Sequence, residues 1–171
     1  MRKSLVLFLS SLFASGFLFS ANSMAKESKP YVTARVLSTT LAVQAATIAE
    51  QACTKMGYQV SVAVVDRYGN LIAFVRNPLS GAHTIGIAQD KAYTAATFQG
   101  DTLVLQNQLE FLKGTPRLSL VGGGIPVKIA GYMYGAIGIS GAPAKKIPGD
   151  VDHECGMAGV NAVREAIEFG E

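Results

Sequence analysis

The sequence predicts an α+β fold, an antiparallel sheet of about four to five strands with helices packed on it. Two observations carry this expectation. Two segments fold back on themselves at glycine: VSVAVVDRYGNLIAFVR at residues 60–76 and GGGIPVKIAGYMYGAIGISGAP at residues 122–143. Between them, GAHTIGIAQDKAYTAATF at residues 81–98 has helical spacing. Hairpins imply antiparallel pairing, and the helices must then bury their apolar faces on the sheet. The element order reads α-ββ-α(α)-ββ-α, with no internal repeat.

Each element has its own warrant. Residues 1–25 carry Arg2 and Lys3, an apolar run from Leu5 to Phe19, and small residues at Ser23 and Ala25. This is the pattern of a cleaved secretory signal peptide, and the run is short for a membrane span. A periplasmic or secreted location follows, with no stable membrane anchor after cleavage. Residues 26–36 are polar around Pro30 and read as a flexible arm before a domain at residues 37–171. In residues 38–56, Leu41, Ala45, Ile48, Ala49 and Ala52 recur every three or four positions, so a helix starts at Ser38 or Thr39 and stops at Gly57.

Residues 60–66 alternate as a strand, 66–70 turn with Gly69 supplying positive φ, and 71–76 return until Pro78. In the second helix Ile85, Ala88, Ala92, Ala95 and Phe98 share one face, and their small size lets the helix lie close to a sheet. Asp101 caps a further helical segment over 101–111. Strands at 125–130 and 132–140 meet around Gly131. Gly135 and Gly138 inside the second of them cost stability unless a helix or ligand approaches the backbone closely. The final helix spans 152–169, with Asp150 or Asp152 near its start.

Charge excludes some functions. The chain has 15 basic and 12 acidic residues, a net +3 that falls further when the signal peptide is removed. No basic run or aromatic-basic stripe supports nucleic-acid binding. There is no GxSxG elbow, HExxH, CxxC, P-loop or EF-hand loop.

Five motifs in order resemble the GlcG/HbpS-like family: AVVDRYGNLIAFVR, KAYTA at residues 91–95, GGGIPV at 122–127, GAIGISGAP at 135–143, and CGMAGVNAV from Cys155. The resemblance covers about residues 37–169. It implies a profilin-like version of the fold and a tendency to form homo-oligomers. Exported members are linked to haem binding and haem-responsive sensing, as is a similar C-terminal module of some corrinoid adenosyltransferases. Other members sit beside glycolate metabolism.

The candidate site residues follow from their chemistry. The two histidines are His83, at the start of the second helix, and His153, at the start of the last. Neutral imidazole ligates haem iron; each is otherwise an ordinary helix-terminal histidine. His83 is the first choice of haem-iron ligand and His153 the alternative. Tyr93, Tyr132, Tyr134, Met133 and Met157 are secondary ligand candidates. Phe98, Ile125 and Ile137 form either an apolar surface for the ring or plain core. Lys91 stands in an apolar helix segment, eight residues from His83 and about 12 Å along the axis on a similar face. It either binds a carboxylate, such as a haem propionate or a small acid, or snorkels to water. Gly122, Gly123 and Gly124 either offer amides to an anion or form a turn.

Cys53 and Cys155 fall near the end of the first helix and the start of the last. An even count in an exported protein permits one disulfide, and antiparallel packing of those helices would bring the sulfurs together; paired and unpaired states both stay open.

The leading expectation is an exported protein that binds haem or a related tetrapyrrole for sequestration, delivery or sensing, with no catalytic residue assigned. An alternative is an enzyme or auxiliary factor for a small, glycolate-like carboxylic acid, held by Lys91 and the glycine amides with Asp66 or His83 as base. A third is a non-catalytic oligomeric interaction module.

Overall fold

In a computed structural model, residues 29–170 are described. The expected signal peptide and the first residues of the arm lie outside them. Residues 29–33 belong to a separate unit, and the elements below all lie in the unit that begins at Ala34.

Helix α1 (Thr39–Lys55) starts where the Ser38 side chain accepts from the Leu41 amide, and it ends before Gly57, whose φ is +87°. Strands β1 (Ser61–Asp66) and β2 (Leu71–Arg76) form the first hairpin. Helix α2 (Thr84–Phe98) follows, then α3 (Thr102–Gln108), capped by the Asp101 carboxylate, and a 3-10 turn at Glu110–Leu112. Strands β3 (Gly124–Ile129) and β4 (Tyr132–Ser140) make the second hairpin. Helix α4 (Asp150–Glu168) begins two residues earlier than its sequence suggests, because Gly149 takes a left-handed φ of +82° and starts the turn there. Among the described residues no helix is long and apolar enough to cross a membrane.

The four strands pair antiparallel in the order β2-β1-β4-β3. The two hairpins therefore join through β1 and β4, in register from Ser61 opposite Ser140 to Asp66 opposite Gly135. Alternation then divides the sheet. Val62, Val64, Ile125, Val127, Ile137 and Ile139 point to one face, where α1 and α4 cover them with Ala42, Ala45, Ala49, Val160 and Val163. Ala63, Val65, Met133 and Ala136 point to the other, under Ala88, Ala92 and Ala95 of α2.

The α2 face has a specific reason for being small. Ala63, Gly138 and Gly124 stand side by side across three strands. A Cβ on Gly138 would run into the backbone of Ala88 and Ala92, and one on Gly124 would meet the Lys91 carbonyl. The helix backbone thus rests on the sheet itself, as the strand glycines led us to expect. That seating carries Lys91 into the interior.

A disulfide joins Cys53 of α1 to Cys155 of α4, with Cα atoms 5.4 Å apart and both residues fully buried. It pins together the two helices of the thicker layer.

Candidate functional site

The start of α2 is anchored by hydroxyls. Thr84 Oγ1 donates to the Gly81 carbonyl at 2.7 Å, so its lone pairs receive Ser61 Oγ at 2.7 Å and Ser80 Oγ at 2.8 Å. This cluster ties the helix end to β1 and fixes His83 one residue upstream. His83 occupies the N-cap position, makes no side-chain capping bond, and is exposed. Gly81 leaves room for the ring: a Cβ there would come within 2.6 Å of Cε1.

Two turns further, Lys91 is only 2 % exposed, and its Nζ donates to Asp152 Oδ2 at 2.7 Å. Asp152 is 3 % exposed, and its second oxygen accepts the Ala142 amide at 3.0 Å. One carboxylate therefore clasps α2, α4 and the chain leaving β4. Burial pushes the Lys91 pKa down and the Asp152 pKa up, in each case against the attraction of the other. Gly123, at φ +111°, brings its backbone against the pair; a Cβ there would stand 2.7 Å from Asp152 Cβ and 3.1 Å from Lys91 Nζ.

The remaining wall is the loop from Gly141 to Gly149. Asp150 holds it by accepting the amides of Lys145 at 3.0 Å, Lys146 at 2.7 Å and Ile147 at 3.3 Å. The Lys145 amide, aided by those of Lys146, Ile147 and Val151 and opposed by desolvation, lowers the Asp150 pKa to about 2. A depressed carboxyl stabilises the fold fully above its unfolded value near 3.8 and loses that contribution as pH falls through about 2. The loop is therefore expected to stay ordered to about pH 4 and to loosen below it. Asp150→Ala is expected to loosen it at neutral pH, read as lost hydrogen-exchange protection at the Lys145 and Lys146 amides.

These parts enclose a cleft of about 380 Å³, lined by His83, Ile87, Lys91, Val121, Ala142 and Asp152 among others. Pro148 and Ala144 extend its apolar side. The structure thus brings His83 and Lys91 to one cleft. It also shows that Lys91 does not snorkel: the ammonium lies inside and already has a carboxylate partner.

Other candidates are placed elsewhere. His153 Nδ1 lies 3.3 Å from Asp101 Oδ2, without a hydrogen-bond partner, and its ring does not line this cleft. Gly122 donates its amide to Pro148 at 3.2 Å and Gly124 donates to Thr102 Oγ1 at 2.8 Å, so an anion would have to displace both bonds. Burial raises the Asp66 pKa, but hydrogen bonds from Asn70, Tyr68 and Gly69 outweigh it; the group is committed to the hairpin turn and is no base in the cleft. Tyr134 accepts from Arg35, whose guanidinium stacks on Tyr132, and Arg117 stacks on Tyr93. Met133 is buried beneath α2, and Met157, on α4 itself, packs against the core on the other face of the sheet. Ile125 and Ile137 face those same two helices because of strand alternation, and Phe98 sits at the far end of α2. The apolar wall comes instead from Ile87, Val121 and Pro148.

Asp152 is the residue that the sequence reading missed, having taken it only as a helix start. The signal was Lys91 itself, since a lysine within an apolar helix face needs a buried counter-charge. Among the described residues no group of three or more His, Cys, Asp or Glu side chains could hold a metal ion.

Comparison with known proteins gives a consistent picture. The chain is 32% identical to Protein GlcG of Escherichia coli K12 over 110 residues, 61% of this chain and 81% of that protein. The structure of a double mutant of Streptomyces reticuli HbpS superposes with a TM-score of 0.72 at 33% identity, covering 84% of this chain and 98% of that one. A PduOC:heme complex superposes with a TM-score of 0.65 at 23% identity, over 74% and 94% of the two chains, and shares the fold. The family described as "Haem degrading protein HbpS-like" matches residues 37–161, and the chain belongs to it.

Proposed function

We propose that the protein is exported and binds haem or a related tetrapyrrole in the His83 cleft, for sequestration, delivery or sensing. The observation that carries this reading is the imidazole of His83, exposed and without a capping bond, at the mouth of a cleft with an apolar wall. A haem iron needs one or two axial ligands, and an imidazole without a capping bond suits it. Ile87, Val121 and Pro148 offer the non-polar surface that a macrocycle requires. Bound haem would supply an iron centre; the chain supplies the ligand, the apolar contact and partial exclusion of water. The family description supports haem as the ligand class. Export is supported by the leader-like residues 1–25 and by a buried disulfide, a bond favoured in oxidising compartments. Self-association, implied by the resemblance, is part of the same proposal.

The test is a haemin titration followed by absorbance. A saturable Soret shift at one haem per subunit is expected, abolished by His83→Ala and retained by His153→Ala. A weak, unsaturable shift that is the same in both variants overturns the reading.

A further inference from the structure

The floor of the cleft carries a lysine ammonium that the protein engages through one carboxylate. A lysine ammonium has three N–H donors. Among the described residues Lys91 Nζ donates one hydrogen bond, to Asp152, while its side chain is 3% exposed. Two donors are therefore left at a buried position that lines the cleft. Such donors need acceptors, and at the lining of the cleft either solvent or the oxygen of a guest can serve.

The groups around it limit what the guest can be. Lys91 and Asp152 sum to zero. Of the other ionisable groups on the packed elements, Asp150 is spent on the loop amides, His153 is turned to Asp101, and Glu154 lies 3.8 Å from Lys145. Asp90 lies on α2, next to Lys91, and is half-buried. Lys145 and Lys146 are exposed on the loop that walls the cleft, and His83 stands at its mouth. The floor of the cleft thus offers N–H groups to an acceptor oxygen. The apolar wall of Ile87, Val121 and Pro148 suits a short aliphatic or macrocyclic remainder.

We propose that Lys91 is a carboxylate receptor: a ligand carboxylate bonds to its two remaining N–H groups while Asp152 keeps the third and holds the ammonium in place. The proposal rests on the cleft described above for its location and not on haem. No covalent change is involved. Asp152 repels the incoming carboxylate, so binding to the native site is weak and exchangeable, and removing that charge strengthens it.

This predicts a gain of function, which loss of structure does not produce. The probe is sodium propionate, followed by calorimetry and by thermal shift at neutral pH. Asp152→Asn is expected to bind propionate at least about tenfold more tightly than the native protein, as removal of a like charge a few ångströms away requires. Its melting temperature is expected to rise more with propionate than that of the native protein. The double variant Lys91→Met/Asp152→Asn lacks the ammonium and leaves no buried charge unpaired, so it is the folded control and is expected not to bind. Saturable binding that is the same in the double variant, or an Asp152→Asn affinity no greater than native, overturns the proposal.

Two sources share this carboxylate chemistry, a haem propionate and a free small acid. Displacement of propionate by haemin but not by haemin dimethyl ester assigns the site to a haem propionate. Propionate binding to a protein that fails to bind haemin assigns it to a free acid, and in that outcome the haem reading fails while this one stands.

Discussion

Replacing Cys53 and Cys155 together by alanine is expected to lower the unfolding free energy by about 4–5 kcal/mol while leaving the strand order intact. The bond joins residues 102 apart in sequence, so the loop that it closes contains the whole sheet together with α2 and α3. In the chain-entropy account, the cost of closing a loop of that length is removed from the folding step, giving about 4.7 kcal/mol for a hundred residues. Alanine is preferred to serine because both sulfurs are fully buried, where a hydroxyl would need a partner. Urea unfolding supplies the measurement. The midpoint should fall and the slope should rise, because the unfolded chain without the cross-link exposes more surface. A loss below about 1 kcal/mol would mean that the unfolded chain keeps α1 and α4 together without the bond. Reducing the native protein should reproduce the variant only under conditions that first open the core, since neither sulfur meets solvent in the fold.

How far the sequence foretold this molecule differs between its local and its distant features. The hairpins were legible because a strand writes its own alternation and a turn its own glycine; Gly69 and Gly131 stand where the chain reverses, at φ +86° and +80°. The glycines within β4 announced a close approach, and α2 lying on Gly138 supplies it. His83 and Lys91 could be placed on one side of a helix because eight residues is a helical spacing. What could not be read was everything that depends on packing between segments. Asp152 reaches Lys91 across 61 residues, and no periodicity encodes that meeting. The triglycine looked open to an anion until Thr102 and Pro148 took two of its amides. Ile125 and Ile137 had two equally good faces, and only the position of α1 and α4 decides between them. The pairing of Cys53 with Cys155 likewise waits on that helix packing.

Asp152→Ala is expected to destabilise the protein by about 3–5 kcal/mol, because it leaves the Lys91 ammonium buried without its carboxylate. It also strips the Ala142 amide of its acceptor. The energetic origin is separable from loss of packing. In Lys91→Met/Asp152→Asn neither charge remains, and asparagine can still accept from Ala142, so this double variant is expected to be more stable than either Lys91→Met or Asp152→Ala. Such non-additivity is the signature of two groups whose cost is mutual compensation and not intrinsic strength. pH supplies an independent check on Lys91→Met. Burial already raises the Asp152 pKa, and Lys91 is the largest influence holding it down. Without the lysine, the folded protein holds the Asp152 proton to still higher pH. A raised carboxyl contributes stability that is complete below the unfolded value near 3.8 and is lost as pH rises through the folded value. The deficit of Lys91→Met relative to the native protein should therefore be largest at neutral pH and shrink on acidification. A deficit that is independent of pH would mean that the lysine acts through its aliphatic stem, and that its charge contributes little to holding α2 and α4 around the cleft.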